Sequence, residues 1–205
     1  MSHNASDRTL GLISIWQVLR KLYWEIDLLR AIPEKIRLGV PPVDVLHVQD
    51  AKIYAAVNAC SAGLALVDWL YHTVREDLSL KKKVSEVLSG VDLTSDKAFL
   101  KSLRTLNKSI NACHQICNAY KHFYLHAPDQ QFKVMTGEIF TRHVTGEVDI
   151  AVVFHVMNNG SNIEDRGSLE VLLKDLADWW ERSLEKIGIP DRGMFFPAPS
   201  ASGMK

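Results

Sequence analysis

Residues 47–77 form the most apolar stretch of the chain, and it is dense in small side chains: Ala55, Ala56, Ala59, Cys60, Ser61, Ala62, Gly63 and Ala65. Short side chains let neighbouring backbones come close, so the pattern predicts a central helix with other elements packed directly onto it. One glycine inside a helix is tolerated at about 1 kcal/mol relative to alanine, whereas two at this place would signal a loop.

The segments on either side are also helical in period. Leu12, Ile15, Leu19, Leu22, Ile26 and Leu29 recur at steps of three and four, which makes one apolar face, and Pro33 ends it. Lys81, Lys82 and Lys83 belong to a short polar helix or loop ending near Gly90. Three cations in a row are the mark of a solvated turn and too few for a nucleic-acid site. Thr94, Ser95 and Asp96 offer cap oxygens for a further helix, expected to run to about His126 before Pro128.

After Pro128 the period changes. Residues 132–140 and 148–156 are rich in β-branched and aromatic side chains, with Thr145-Gly146 between them, which predicts a β-hairpin over about 131–157. Such a hairpin is marginal alone in water and must pack on the helices or on a partner. Ser168 is the expected cap of a last helix carrying Leu169, Leu172, Leu173, Leu176, Trp179, Trp180, Leu184 and Ile187, with Gly188 as its stop. The adjacent Trp179 and Trp180 cannot both face one core, so one is expected against the hairpin or a subunit. The predicted fold class is mainly α, a helical bundle with a β-hairpin inserted before the last helix. Residues 9–188 make one domain, between flexible ends at 1–8 and 189–205.

Composition narrows the function classes. With 205 residues the chain buries roughly 70% of its unfolded surface and needs no disulfide or metal to fold. Its 24 Lys and Arg balance 24 Asp and Glu, which excludes a whole-protein basic field and leaves nucleic-acid binding to a local patch. Three cysteines, two of them four residues apart in a helical pattern, read as reduced thiols. No 18-residue window is free of charge, and Met1–Arg8 has no apolar signal core. These features predict a cytoplasmic protein with no membrane contact.

Chemistry concentrates in a polar stripe on the two central helices. At about 100° per residue, Asn58, Ser61, Ala65, Asp68 and His72 share one side of the small-residue helix. On the helix after Ser95, one sector holds Asn107, Asn111, His114, Asn118, Lys121 and His122, and the opposite sector holds Leu106, Ile110, Cys113, Cys117, Tyr120 and Tyr124. Solvated helix faces normally carry Lys, Glu and Arg; Asn and His form helices less well, so something beyond helix formation selects them here. Asn118 and His122 are neighbours at i,i+4, and the amide can orient an imidazole that works as acid or base near neutral pH. Lys121 beside them can hold a phosphate or a developing negative charge. Asp68 and His72 share the same spacing, so a carboxylate can fix the ring tautomer there.

The run Asn118-Ala119-Tyr120-Lys121-His122 resembles the Asn-x-x-x-His part of HEPN-domain proteins. That resemblance implies an α-helical, dimeric module of bacterial toxin or defence type. It implies metal-independent RNA cleavage or RNA binding, with His122 as acid and base, Asn118 as its orienter and Lys121 as phosphate ligand. In that family an Arg directly precedes the Asn; here the position is Cys117. Across residues 50–185 the chain is also similar to a group of uncharacterised bacterial helical proteins. They share the Asp68-Trp69-x-x-His72 and Asn118-Ala119-x-Lys121-His122 patterns, a hairpin and a Trp-containing last helix. Asp68, His72, Asn58 and His114 are the supporting or substrate-binding candidates.

Other readings stay open. Asn58, Asp68 and Asn118 can be polar groups that fasten two helices together in a non-catalytic interaction or accessory protein, or line a small-ligand pocket. Asp68, His72, His114 and His122 include i,i+4 geometry suited to a metal, but one carboxylate is few for such a site, and no metal or cofactor is expected. The partners anticipated are RNA, a protein, and a second copy of the chain. Whether the protein is an enzyme is left undecided by its sequence.

Overall fold

In a computed structural model, residues 12–32, 35–37, 42–121, 132–144, 148–158 and 167–191 are described, with backbone alone at 35–37, 42–49, 120–121, 132–141, 148–158 and 167. Six helices carry the fold among these residues: α1 (Ile15–Ala31), α2 (Pro42–Val74), α3 (Leu78–Val87), α4 (Asp96–Leu106), α5 (Lys108–Lys121) and α6 (Leu169–Ile187). The protein is mainly helical, as its periodicity predicts.

The small-residue stretch is the hub. Helix α2 packs against all five other helices and buries Ala55, Ala56, Ala59, Cys60, Ala62, Leu66, Leu70 and Val74. A Cβ on Gly63 would lie 3.0 Å from Leu176 Cδ2 of α6 and 3.5 Å from Cys113 Sγ of α5, so two neighbours converge on this glycine. By length and hydropathy the span Asp50–Val74 would suit a membrane crossing, yet half of its most apolar window is buried inside this bundle.

Helix α1 opens on a capping box. Ser14 Oγ accepts from Gln17 N at 3.3 Å, and Gln17 Oε1 accepts from Ser14 N at 3.2 Å. Its face Ile15, Val18, Leu19, Leu22, Ile26 and Leu29 is buried, on the expected period. Polar contacts latch α1 to α6 and the residues after it. Trp16 Nε1 donates to the Ile189 carbonyl at 2.8 Å, and Arg20 pairs with Asp191 at 2.9 Å, so residues 189–191 sit on α1 and not in a free tail. The Tyr23 hydroxyl lies 3.0 Å from Asp178 Oδ1 and 2.9 Å from Glu181 Oε2. Burial, helped by those carboxylates, pushes its phenol above the usual tyrosine value.

The single helix expected from Ser95 to about His126 is instead two. Asn107 is extended (φ −132°, ψ 112°), and its N–H donates to Leu103 O at 2.8 Å, closing α4. Its Oδ1 accepts from Ser109 N at 2.8 Å and Ile110 N at 3.4 Å, opening α5. Asparagine is a strong N-cap and a weak interior residue, so the break falls where the side chain gains most. Leu106 therefore ends α4 at 45% exposure instead of joining the buried Ile110, Cys113 and Cys117 of α5. The second helix also starts earlier than residue 47, at Pro42.

Helix α6 stops at Gly188 as expected. Gly188 is left-handed (φ 79°), and its N–H reaches the Leu184 and Glu185 carbonyls at 3.0 Å. Ser168 holds the N-cap position but its hydroxyl makes no cap bond. Trp180 is fully buried, while Trp179 packs partly buried on the same core with ring centroids 4.9 Å apart, edge to face.

Backbone ladders run antiparallel among β1 (Lys35–Arg37), β2 (Phe132–Arg142), β3 (Val148–Asn158) and β4 (Gly167–Ser168), with β3 pairing all three others. Thr145-Gly146, Asn159-Gly160, the residues before Leu12 and those after Asp191 lie outside the described residues.

Candidate functional site

Helix α5 divides its sides sharply. Ile110, Cys113 and Cys117 face the core, while Asn111, His114 and Asn118 form a half-buried polar row. Asn118 Nδ2 stands 3.2 Å from both ring nitrogens of His114, so its amide faces the ring edge between them. At the other end of the row Asn111 Oδ1 accepts from Arg104 Nε of α4 at 2.9 Å. The row is thus held at one end within α5 and at the other by α4. Asn107, counted in this stripe from its spacing, is the cap between the two helices and no part of the row.

The i,i+4 spacing of His114 and Asn118 already implies their contact, but Arg104 was not legible from spacing alone. Periodicity reports which residues share a helix face, and Arg104 reaches that face from a different helix. The break at Asn107 is what makes the crossing geometrically open.

The α2 half of the stripe lies elsewhere. Ser61 Oγ is 3.4 Å from Cys117 Sγ, which sets the Asn118 turn of α5 beside Ser61. Asp68 is seven residues further on, about 10 Å along the axis of α2. Asp68 Oδ1 and His72 Nε2 are 3.3 Å apart, and His72 Nδ1 is 3.2 Å from Arg75 Nη1. A guanidinium can only donate, so Nδ1 accepts and the ring proton of the neutral imidazole sits on Nε2, facing the carboxylate. The expected i,i+4 pairing is present, at a distance from Asn118. A cavity of about 160 Å³ adjoins it, lined by Leu64, Val67, Asp68, Tyr71, Asp96, Lys97 and Leu100. Asn58 is exposed on α2, one turn before Ser61.

Lys121 is described by its backbone at the end of α5, and His122 lies outside the described residues. Among the described residues no group of three or more His, Cys, Asp or Glu side chains is placed to hold a metal. None of the three cysteines is in a disulfide, and all are buried. A hydrogen bond with Cys113, then burial, holds the Cys60 thiol well above its ordinary value, so it stays protonated and serves packing.

One charged residue in the core escaped the sequence reading. Lys52 is 1% exposed, with Nζ 3.8 Å from Glu170 Oε1 in the first turn of α6. Its signal was available, because Lys52 falls three and four residues before the buried Ala55 and Ala56. Glu170 is also suited to a helix N-terminus by charge.

Compared with protein-family models, curated proteins and solved structures, the chain finds no match in any of the three.

Proposed function

We propose that this is a cytoplasmic, HEPN-like helical protein of bacterial toxin or defence type that binds RNA or cleaves it without a metal. In this reading a β-hairpin of β2 and β3 is inserted before the last helix, and two copies pair so that their His122 side chains share a cleft. The observation that carries the reading is the half-buried row on α5, where the Asn118 amide meets the His114 ring and Asn111 is tied to Arg104.

The chemistry follows from the residue types. Cleavage of RNA through its own 2′-hydroxyl needs a base to take the hydroxyl proton and an acid to protonate the leaving 5′-oxygen. His122 supplies the acid and base functions, Asn118 orients an imidazole, and Lys121 holds the phosphate. Asn58, one turn before Ser61 on α2, supports the surface around it, whereas Asp68 and His72 form a separate pair further along α2. His114, already beside Asn118, is the second imidazole within reach of the same helix face.

A second reading has an observation of its own. The Arg104–Asn111 bond joins α4 to α5, which is what a structural fastener in a non-catalytic interaction protein would do. Incubating the purified chain with total RNA, with and without EDTA, separates the two. Fragments that persist in EDTA and form at least tenfold more slowly in His122→Ala support the enzyme. Intact RNA under every condition rejects cleavage and leaves the fastener.

A further inference from the structure

We infer that the cavity between α2 and α4 is a binding site for a free amino acid with a branched aliphatic side chain. Its ammonium meets Asp68, its carboxylate meets Lys97, and its side chain enters the cavity. This site stands apart from the α5 row and does not rest on the RNA reading. The cavity measures about 160 Å³. A void of about 150 Å³ lined by apolar side chains admits benzene, so a four-carbon side chain fits here. Leu64, Val67 and Tyr71 wall it from α2, and Leu100 walls it from α4. Positions 64, 67 and 71 share one face of α2 by their steps of three and four, with Val67 buried between the other two. The Tyr71 ring is a preset wall: it meets His72 edge-on with centroids 5.5 Å apart and lies tilted on Phe99 at 6.0 Å.

The charged groups set the ligand class. They stand on the exposed side of the cavity, Asp68 on α2 and Asp96 with Lys97 on α4. Asp68 is positioned from behind. Glu76 pairs with Arg75, Arg75 Nη1 donates to His72 Nδ1 at 3.2 Å, and His72 Nε2 faces Asp68 Oδ1 at 3.3 Å. That chain fixes one carboxylate oxygen and leaves Oδ2 to accept from an ammonium. On the facing wall Asp96 Oδ1 is occupied by the Lys97 N–H at 2.7 Å, in the first turn of its own helix. Lys97 is the cation of this wall, and a cation in the first turn of a helix opposes the dipole. A bound carboxylate offsets that cost. A ligand with both charges and one small apolar group meets each of these features, whereas a fatty acid lacks the ammonium and an alkylamine lacks the carboxylate.

The test is saturation-transfer NMR of L-leucine titrated with the full chain, with 3-methylbutylamine, 4-methylpentanoate and glycine as partial ligands. L-leucine is expected to bind with about millimolar affinity, ordinary for so few atoms. The amine and the acid, each missing one charge, are expected to bind about fivefold more weakly, the most that an exposed ion pair contributes. Glycine, with no side chain for the cavity, is expected to show no saturable binding. Asp68→Asn and Lys97→Gln each weaken L-leucine about fivefold, and Leu64→Trp, which fills the cavity, abolishes its binding. Parental affinity in both charge variants would overturn the assignment of the two ends. Equal binding of the amine and L-leucine would overturn the Lys97 contact, and equal binding of the acid would overturn the Asp68 contact. Unchanged binding in a folded Leu64→Trp would place the ligand elsewhere, and no binding at about 10 mM would overturn the site. Should Leu64→Trp not fold, the two charge variants carry the test, since both side chains are exposed.

Discussion

Replacing Trp180 with alanine is expected to cost about 3–5 kcal/mol of folding stability, the range for removing a large buried aromatic. Among the described residues Trp180 is the largest side chain fully buried, and it sits on α6 among residues packed around α2. A truncation there leaves a void that the surrounding helices cannot close without moving α6. The same indole carries an unusual cost in the native state, since Trp180 Nε1 is buried with no hydrogen-bond partner among the described residues. Leaving such a donor unsatisfied costs about 1–3 kcal/mol. Trp180→Phe therefore loses part of the ring volume but also removes the stranded donor, and is expected within about 1 kcal/mol of the parent. Urea unfolding would show this as a large drop in midpoint for alanine and a small shift for phenylalanine, at constant slope. An alanine variant less than about 1 kcal/mol below the parent would contradict the packing described here.

Gly63→Leu is expected to destabilise by about 3 kcal/mol, at the upper end for overfilling a packed core. Leu176 Cδ2 already stands 3.0 Å from where the first added carbon would go, and Cys113 Sγ stands at 3.5 Å. Three further carbons would have to enter between α5 and α6. Gly63→Ala is the informative control. Alanine gains about 1 kcal/mol of helix propensity, and the close contact with Leu176 opposes it, so the net change is expected near zero. In a Leu176→Ala background the cost of Gly63→Leu should fall, because the vacated volume receives the new side chain. Thermal melts of the four combinations form a double-mutant cycle that measures this coupling. Full additivity would place the clash elsewhere.

Both predictions depend on the small-residue stretch, and that is where the sequence was most readable. Ala55, Ala56, Ala59, Cys60 and Gly63 announced a central helix through the absence of bulk, and α2 holds that position. The faces of α1 and α6 were equally legible, because a stripe of branched aliphatics at steps of three and four has one stable orientation. Asn107 was not. In a periodicity reading an asparagine between two apolar-patterned segments looks like one more polar position. Only the competition between its side chain and the backbone makes it a cap.

The polar stripe was legible as helix faces and not as a three-dimensional arrangement. Asn118 was placed correctly on the polar side of its helix, and Asp68 with His72 paired as their spacing implied. Spacing on two separate helices, however, carries no information about their relative register. The contact between Ser61 and Cys117 sets that register and puts Asp68 well beyond the Asn118 turn. Arg104 came from a third element, and Lys52 was hidden because a lysine is normally read as surface.

Whether the α5 row is a site or a fastener is decided most directly by melting Asn118→Ala beside the parent, each with and without a saturating short RNA. A ligand that binds only the folded chain raises its melting temperature. Asn118 is half-buried and its described contact lies within its own helix, so its loss should leave the ligand-free melting temperature within about 2 °C of the parent. RNA should raise the parent's melting temperature and leave that of the variant unchanged. A ligand-free drop of several degrees, with no RNA-induced shift in the parent, would mean that Asn118 holds helices together and that the row does not bind RNA.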